Sequence, residues 1–366
     1  MTEKKQYTAA IIGCGRIGFS LGFDKKREQP ASHTMALAKN RRIRICSGCD
    51  TNEENLAEWH KYVKDAKVFS KTEELLAECK PDIITVAVNE DSHLSCALDA
   101  IKAKPALVIL EKPVALNVEQ GNQIVEAAEK YNVPVMVNHE RRFALDYQAA
   151  RSYMAKIGEI QSIHANLFSG LRVYSKEDEK TGAYSLLHDG THLIDIVLFF
   201  LEELEAAAGY TATGDSERAP LLQNPVLTSV YYDKEKKDKD GGKIVRNLSV
   251  HFTSPECPDV YFTISGRSRF FGFEIDIVGT LGRIHIGNGF VEFYLRKQSK
   301  LYTGFYSLTK DKSAKVPRKT KYFANMVQNA VDFLDGKAGL GSTLADGMNV
   351  LKIIDEIRNM LKNTAE

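Results

Sequence analysis

Thr8-Ala9-Ala10-Ile11-Ile12-Gly13-Cys14-Gly15-Arg16-Ile17-Gly18 decides the reading of this chain, because it joins a short apolar run to a Gly-x-Gly-x-x-Gly loop. The run predicts a buried strand and the residues after Gly18 admit a helix, the context in which such a loop carries meaning. Gly13 permits the tight turn, Gly15 lets backbone approach a pyrophosphate, and Gly18 lets helix and strand pack closely with the helix start facing the anion. The loop Gly13, Gly15, Arg16, Ile17 and Gly18 is therefore a candidate dinucleotide site.

Outward from this loop, Ile43 to Cys49, Ile83 to Val88, Leu107 to Leu110 and Val133 to Val137 are further apolar runs separated by helical patterns. Continuous apolar runs suit strands covered on both faces, and their alternation with helices predicts a parallel, Rossmann-type α/β sheet over residues 1–140. Asn117, with Gln120 three residues on, reads as a helix N-cap, and Gly121, Ile124, Val125 and Ala128 share one stripe.

The second run ends in Cys49-Asp50, where a carboxylate would accept hydrogen bonds from adenosine ribose hydroxyls. That acid also repels a 2′-phosphate, so NAD is expected rather than NADP. Asp50 lies 32 positions after Gly18 against about 20 in the usual pattern. The polar stretch Lys25 to Glu28 with Pro30 is accordingly read as an insertion between the first helical turn and Thr34. Asp50 can also cap the next helix, with Glu53 three residues on.

After Arg141 the pattern becomes α+β. Helices are expected over Leu145 to Lys156 and through His192 to Glu205. Alternating strands are expected at Leu248 to Phe252, Val260 to Ser265, Phe273 to Val278 and Arg283 to Ile286, with closing helices at Tyr322 to Leu334 and Ala345 to Leu361. Residues 141–366 thus read as a second domain for substrate binding and oligomerisation, built on a large, mainly antiparallel open sheet, with its terminal helix free to pack back on the first domain. An open sheet face predicts a homodimer or homotetramer. Asp233 to Lys243 and Lys310 to Lys321 read as solvated loops, and Tyr302, Phe305 and Tyr306 as core or interface.

Lys and Arg total 49 against 48 Asp and Glu, a formal net charge of +1 over 366 residues. No global field draws nucleic acid or an anionic membrane, and a small-molecule partner is expected. The apolar stretch Leu193 to Leu201 contains Asp195 and is short of the roughly 20 residues of a membrane span. Met1 to Gln6 lacks the apolar segment of an export signal, so a cytoplasmic location is expected. Six scattered cysteines fit free thiols, although Cys46-Ser-Gly-Cys49 has redox or zinc spacing. No metal site is expected.

Glu111-Lys112-Pro113, the segment GAYSLLHDGTHLID from Gly182 to Asp195, and the terminal Ser342 to Gly347 together with the glycine loop resemble the glucose-fructose oxidoreductase / inositol dehydrogenase / rhizopine catabolism (Gfo/Idh/MocA) family over nearly the whole chain. The resemblance implies an NAD-dependent dehydrogenase acting on a secondary alcohol of a sugar, sugar derivative or cyclitol. It implies that Asn89, His93 and Glu111 join the cofactor site and that Lys112 contacts nicotinamide ribose and substrate hydroxyl. It also implies that His192 is the acid/base, for which an imidazole titrating near neutrality is suited.

The chain departs from the family at the position four before His192. The usual aspartate is His188 here, with Asp189 next. Asp189 supplies the missing carboxylate, or His188 donates to substrate directly, or Asp195 orients His192; the sequence leaves all three open. Asn138, Arg141 and Arg142 either contact substrate or pair with acids. A regulator that keeps the fold without the chemistry is the alternative function.

Overall fold

The computed structural model describes residues 5–207, 220–239 and 241–365. The chain divides into two compact units, residues 1–144 with 319–352, and residues 145–318 with 353–366.

The first unit is built on six strands, β1 (Tyr7–Ile12), β2 (Ile43–Cys49), β3 (Lys67–Phe69), β4 (Ile83–Val86), β5 (Leu107–Leu110) and β6 (Val135–Val137). Their order is β3-β2-β1-β4-β5-β6, and every pairing is parallel. The crossovers carry helices α1 (His33–Lys39), α2 (Glu53–Tyr62), α3 (Thr72–Glu78), α4 (His93–Lys102) and α5 (Val118–Tyr131). This is the Rossmann sheet that the alternation predicts, with β4 and β5 buried along their entire length. Asn117 caps α5, its side chain accepting from the Gln120 amide, and Ala127 rather than Val125 completes the buried stripe.

In the second unit α6 (Leu145–Tyr153) precedes strand β7 (Ile160–Phe168), the short helix α7 (Ser185–His188) and the long helix α8 (Gly190–Ala207). Strands β8 (Gln223–Lys237), β9 (Lys243–Ser254), β10 (Cys257–Ser265), β11 (Gly272–Gly279), β12 (Gly282–Gly287), β13 (Phe290–Gln298) and β14 (Tyr306–Lys310) follow. Their sheet has the order β14-β13-β12-β11-β7-β10-β9-β8, antiparallel except where β7 meets β10. Ile163, Ala165, Leu167, Val250, Phe262 and Ile275 are fully buried on one face, while the residues between them stay partly open.

Helix α9 (Tyr322–Leu334) returns to the first unit, where Phe323, Met326, Val327, Ala330 and Val331 join one core with Leu37, Ile43 and Ile45. Helix α10 (Leu344–Ala365) contributes residues to both units. Thr343 and Asp346 form a reciprocal capping box at its start, each accepting from the other's amide. Gly347 lies so close to Val114 and Val137 that a β-carbon there would overlap them, and this fixes the Ser342 to Gly347 element against the end of β6.

The structure corrects the loop reading of Asp233 to Lys243: Asp233 to Lys237 belongs to β8, and β9 begins at Lys243. Of Lys310 to Lys321 only Lys310 lies in a strand, at the end of β14, and 311–321 hold no helix or strand; β8 and β14 are the outer strands of their sheet. Charged residues blunt such edges, so the apolar alternation of an inner strand is missing from the sequence. Tyr302, Phe305 and Tyr306 are 60 to 66% exposed and are not core. No helix among the described residues is long and apolar enough to cross a membrane.

Candidate functional site

The glycine loop closes on its own backbone. Gly13 has φ +95°, and its amide donates to the Cys49 carbonyl at 2.8 Å. A β-carbon at Gly13 would come within 2.5 Å of the Ala87 carbonyl oxygen, and one at Gly18 would collide with the Gly13 carbonyl. Gly15 is different: a β-carbon there meets only Asn55 Nδ2, at 3.5 Å. The fold therefore requires Gly13 and Gly18, whereas Gly15 leaves an open approach to backbone. The amides of Gly15, Arg16 and Ile17 donate to no acceptor among the described residues, and the turn they begin closes through Phe19 and Ser20 onto the Gly15 carbonyl. Such free amides at a helical start bind phosphate oxygens.

The insertion lies where the spacing places it. The His33 and Thr34 amides donate to the Ile17 and Gly18 carbonyls at 3.1 and 2.9 Å, so α1 resumes the bonding of the first turn as though the intervening residues had looped out. Thr34 Oγ1 adds a 2.6 Å bond to the Gly18 carbonyl and accepts from Trp59 Nε1 at 2.8 Å. The loop is anchored at Glu28, whose carboxylate accepts from the Thr320 and Lys321 amides at 2.7 and 2.8 Å and so caps α9 from a distant part of the chain.

Asp50 stands at the end of β2, half-buried. One oxygen accepts from the Cys14 amide and the other from the Asn52 amide, both at 2.8 Å. It does not cap α2, since Asn52 is the N-cap and accepts from Asn55 at 3.0 Å. A short polar side chain at the position before the helix suits that task, which leaves Asp50 to face the glycine loop. Arg16 and Asn89 are exposed and Ile17 is half-buried. Cys49 is buried and burial pushes its thiol up to about 11, which makes it a poor thiolate.

A buried polar cluster lies beneath Lys112. Glu111 Oε1 meets His33 Nε2 at 2.6 Å and Asn138 Nδ2 at 2.5 Å, and Glu111 Oε2 accepts from the Lys112 amide at 3.2 Å. Burial alone raises a carboxyl, yet the His33 bond, the neighbouring cations and Asn138 outweigh it and draw Glu111 down to about 2. His93 is buried with Nδ1 2.6 Å from the Pro113 carbonyl and Nε2 3.1 Å from that of Val88, between the end of β4 and the Lys112-Pro113 turn. Burial holds its pKa below the ordinary value, and the neutral ring has one N–H to donate to either carbonyl.

On the neighbouring strand end, Glu140 follows β6 as Lys112 follows β5. Burial pushes the Glu140 carboxyl up, and Tyr322 is pushed up to about 12, by burial first and then by the Glu140 charge. Arg142 is buried and pairs with Asp346 at 3.5 Å, and His139 Nδ1 lies 3.4 Å from Ser342 Oγ. Arg142 thus pairs with an acid, the second of its two sequence readings, while Arg141 reaches Glu140 at 3.4 Å.

The second unit holds the histidine candidates. The helix expected through His192 to Glu205 is α8, which begins at Gly190, while His188 ends the separate short helix α7. At Asp189 the ladder tightens, the His192 amide donating to the Asp189 carbonyl three residues back at 3.1 Å. His188 is exposed, Asp189 and His192 are half-buried, and Asp195 is buried.

Sequence reasoning missed His33 and Glu140. The signal for His33 lay in the spacing: with the insertion looped out, it falls in the first turn after Gly18.

A loop with free amides, an acid at the end of β2 and an anchored Glu-Lys-Pro turn fit a bound dinucleotide. Residues 7–139 match the model described as "Oxidoreductase family, NAD-binding Rossmann fold" of the Gfo/Idh/MocA family. Over these residues the Rossmann part of the chain is that of a Gfo/Idh/MocA oxidoreductase. Among relatives, the D-glucoside 3-dehydrogenase of Escherichia coli is 28% identical over 199 residues, covering 52% of this chain and 53% of that protein. The chain thus spans about half the length of this relative. Solved structures extend the likeness in fold to the whole chain. The WlbA dehydrogenase of Bordetella pertussis, solved with NADH and UDP-GlcNAcA, superposes with a TM-score of 0.71 at 16% identity over 100% of this chain and 97% of that one. An oxidoreductase of Agrobacterium radiobacter, solved with NAD+, L-tartaric acid and magnesium, gives 0.68 at 16% over 96% and 95%.

Proposed function

We propose that this Gfo/Idh/MocA protein is an NAD-dependent dehydrogenase that interconverts a secondary alcohol and a ketone on a sugar, sugar derivative or cyclitol. The observation that carries this is the fixed carboxylate of Glu111 under Lys112, two strands from a glycine loop whose amides are free among the described residues. Gly15, Arg16 and Ile17 would hold the pyrophosphate through backbone, and Asp50 would hold the ribose, its charge disfavouring a 2′-phosphate. When bound, the nicotinamide supplies the hydride acceptor.

Lys112, half-buried, orients the substrate hydroxyl as an ammonium donor. His192 takes the hydroxyl proton as carbon gives up hydride, with Asp189 or His188 completing the relay. Replacing His192 by Ala should lower kcat/KM roughly 100-fold or more, with dinucleotide affinity little changed. Lys112→Ala should cost turnover as well. Turnover of both variants at the wild-type level on an identified sugar, measured by absorbance of the reduced nicotinamide, rejects the role assignment. Calorimetry showing tighter NADP than NAD binding rejects the role of Asp50.

A dinucleotide- or sugar-sensing regulator is the second reading, favoured by His188 in place of the family aspartate. Tight NAD binding without reduction across a panel of sugars and polyols would establish it.

A further inference from the structure

We propose that His33 is a positioning residue for the reaction: it clamps Glu111, the anchor of the Lys112 turn, and ties that turn to the glycine loop. This rests on the dehydrogenase reading above. The argument begins with the two bonds that one residue makes. Through its amide, His33 closes on the Ile17 carbonyl of the glycine loop at 3.1 Å, and through Nε2 it reaches Glu111 Oε1 at 2.6 Å. Its side chain has no solvent exposure, and Phe323 sets a ring edge against it at 5.1 Å and 87°.

The tautomer follows from the partners. Among the described residues the buried Nδ1 has no hydrogen-bond partner, so a proton there would be an orphaned donor, whereas a bare lone pair costs less. Nε2 therefore carries a proton and donates to a carboxylate that also accepts from Asn138 Nδ2 and the Lys112 amide. The other charged or titratable groups around Glu111 are the Lys112 ammonium, His93 on α4 and Glu140 after β6. Removing the His33 donor leaves Glu111 buried with one neutral side-chain donor and a nearby second carboxyl. It then takes up a proton closer to neutrality, and the Lys112 turn loosens.

The test uses the full-length protein with His33→Phe, which keeps a ring in place without the donor, and His33→Gln, which restores an N–H. Three readouts are needed: 15N NMR of the His33 imidazole, NAD affinity by calorimetry, and the pH profile of kcat/KM. The wild-type imidazole should carry its proton on Nε2. His33→Phe should bind NAD comparably, lose turnover by roughly 100-fold as a misplaced group does, and acquire a new acid limb. His33→Gln should recover most of that loss and remove the limb.

An imidazole with no proton on Nε2, or a Phe variant with wild-type turnover and pH profile, overturns the proposal. So does equal loss in the Gln and Phe variants. If the wild-type protein binds no NAD and reduces none, the dehydrogenase reading fails instead, and the imidazole tautomer still decides the His33–Glu111 clamp.

Discussion

The two sheets of this protein solve different burial problems. In the six-stranded sheet Ile83, Ile84, Leu107, Val108, Ile109 and Leu110 have no exposure on either face, whereas in the eight-stranded sheet Ile163, Ala165 and Leu167 alternate with partly open Ser162, His164 and Asn166. One line of that outer face carries His251, Tyr261, His164, Asp276, His285 and Glu292, register partners across successive strands. A residue enclosed on all sides has no cheap substitution, while one with an open side does. The same contrast recurs within the glycine loop, where Gly18 is enclosed and Gly15 is open.

Three experiments probe that contrast. The largest effect is expected in the loop. Gly18→Ala sets a methyl on the Gly13 carbonyl and should cost more than about 4 kcal/mol or prevent folding, because backbone cannot yield there. Gly15→Ala should unfold at nearly the wild-type urea midpoint yet bind NAD weakly. If both variants are equally stable, the distinction between enclosed and open glycines is lost.

Next come the sheets themselves. Ile109→Ala, at a fully buried position, should destabilise by about 2–5 kcal/mol in urea denaturation. Thr263→Ala, on the partly open face of β10, should cost less than about 1 kcal/mol. Similar losses at both sites would mean that the outer face is as tightly packed as the Rossmann sheet.

The smallest effect concerns pH. Against burial, the His33 and Asn138 bonds and the Lys112 charge draw the Glu111 carboxyl down to about 2, below the roughly 4.3 of an unfolded chain, so its contribution is complete above pH of about 4.3 and is lost as pH falls below that. Stability followed by urea denaturation should decline through that window, and Glu111→Gln should flatten the decline. An unchanged slope in the variant would remove the clamp as a source of acid sensitivity.

Where burial is complete, the sequence was easily read. β2 and β5 run over the residues that their apolar stretches mark, and α9 occupies Tyr322 to Leu334 as its periodicity indicates. Where one edge of a strand faces solvent the pattern fades, and the charged end of β8, Asp233 to Lys237, reads as a loop. β3, three residues long, offers too few positions for any pattern. In the site, the glycine loop, Asp50 and Lys112 were legible from local order and motif. His33 was hidden because the insertion separates it from Gly18 in sequence but not in hydrogen bonding.

By itself the sequence determined a Rossmann half with a glycine loop, an acid at the end of the second strand and a Glu-Lys-Pro turn, because these depend on residue type and on spacing along one stretch of chain. Only the tertiary structure decided that Asn52 rather than Asp50 caps α2, that Glu28 caps α9, and that His33 and Asn138 converge on Glu111. Those outcomes depend on which buried donors and acceptors find each other across the fold, and that pairing depends on packing between segments far apart in the chain.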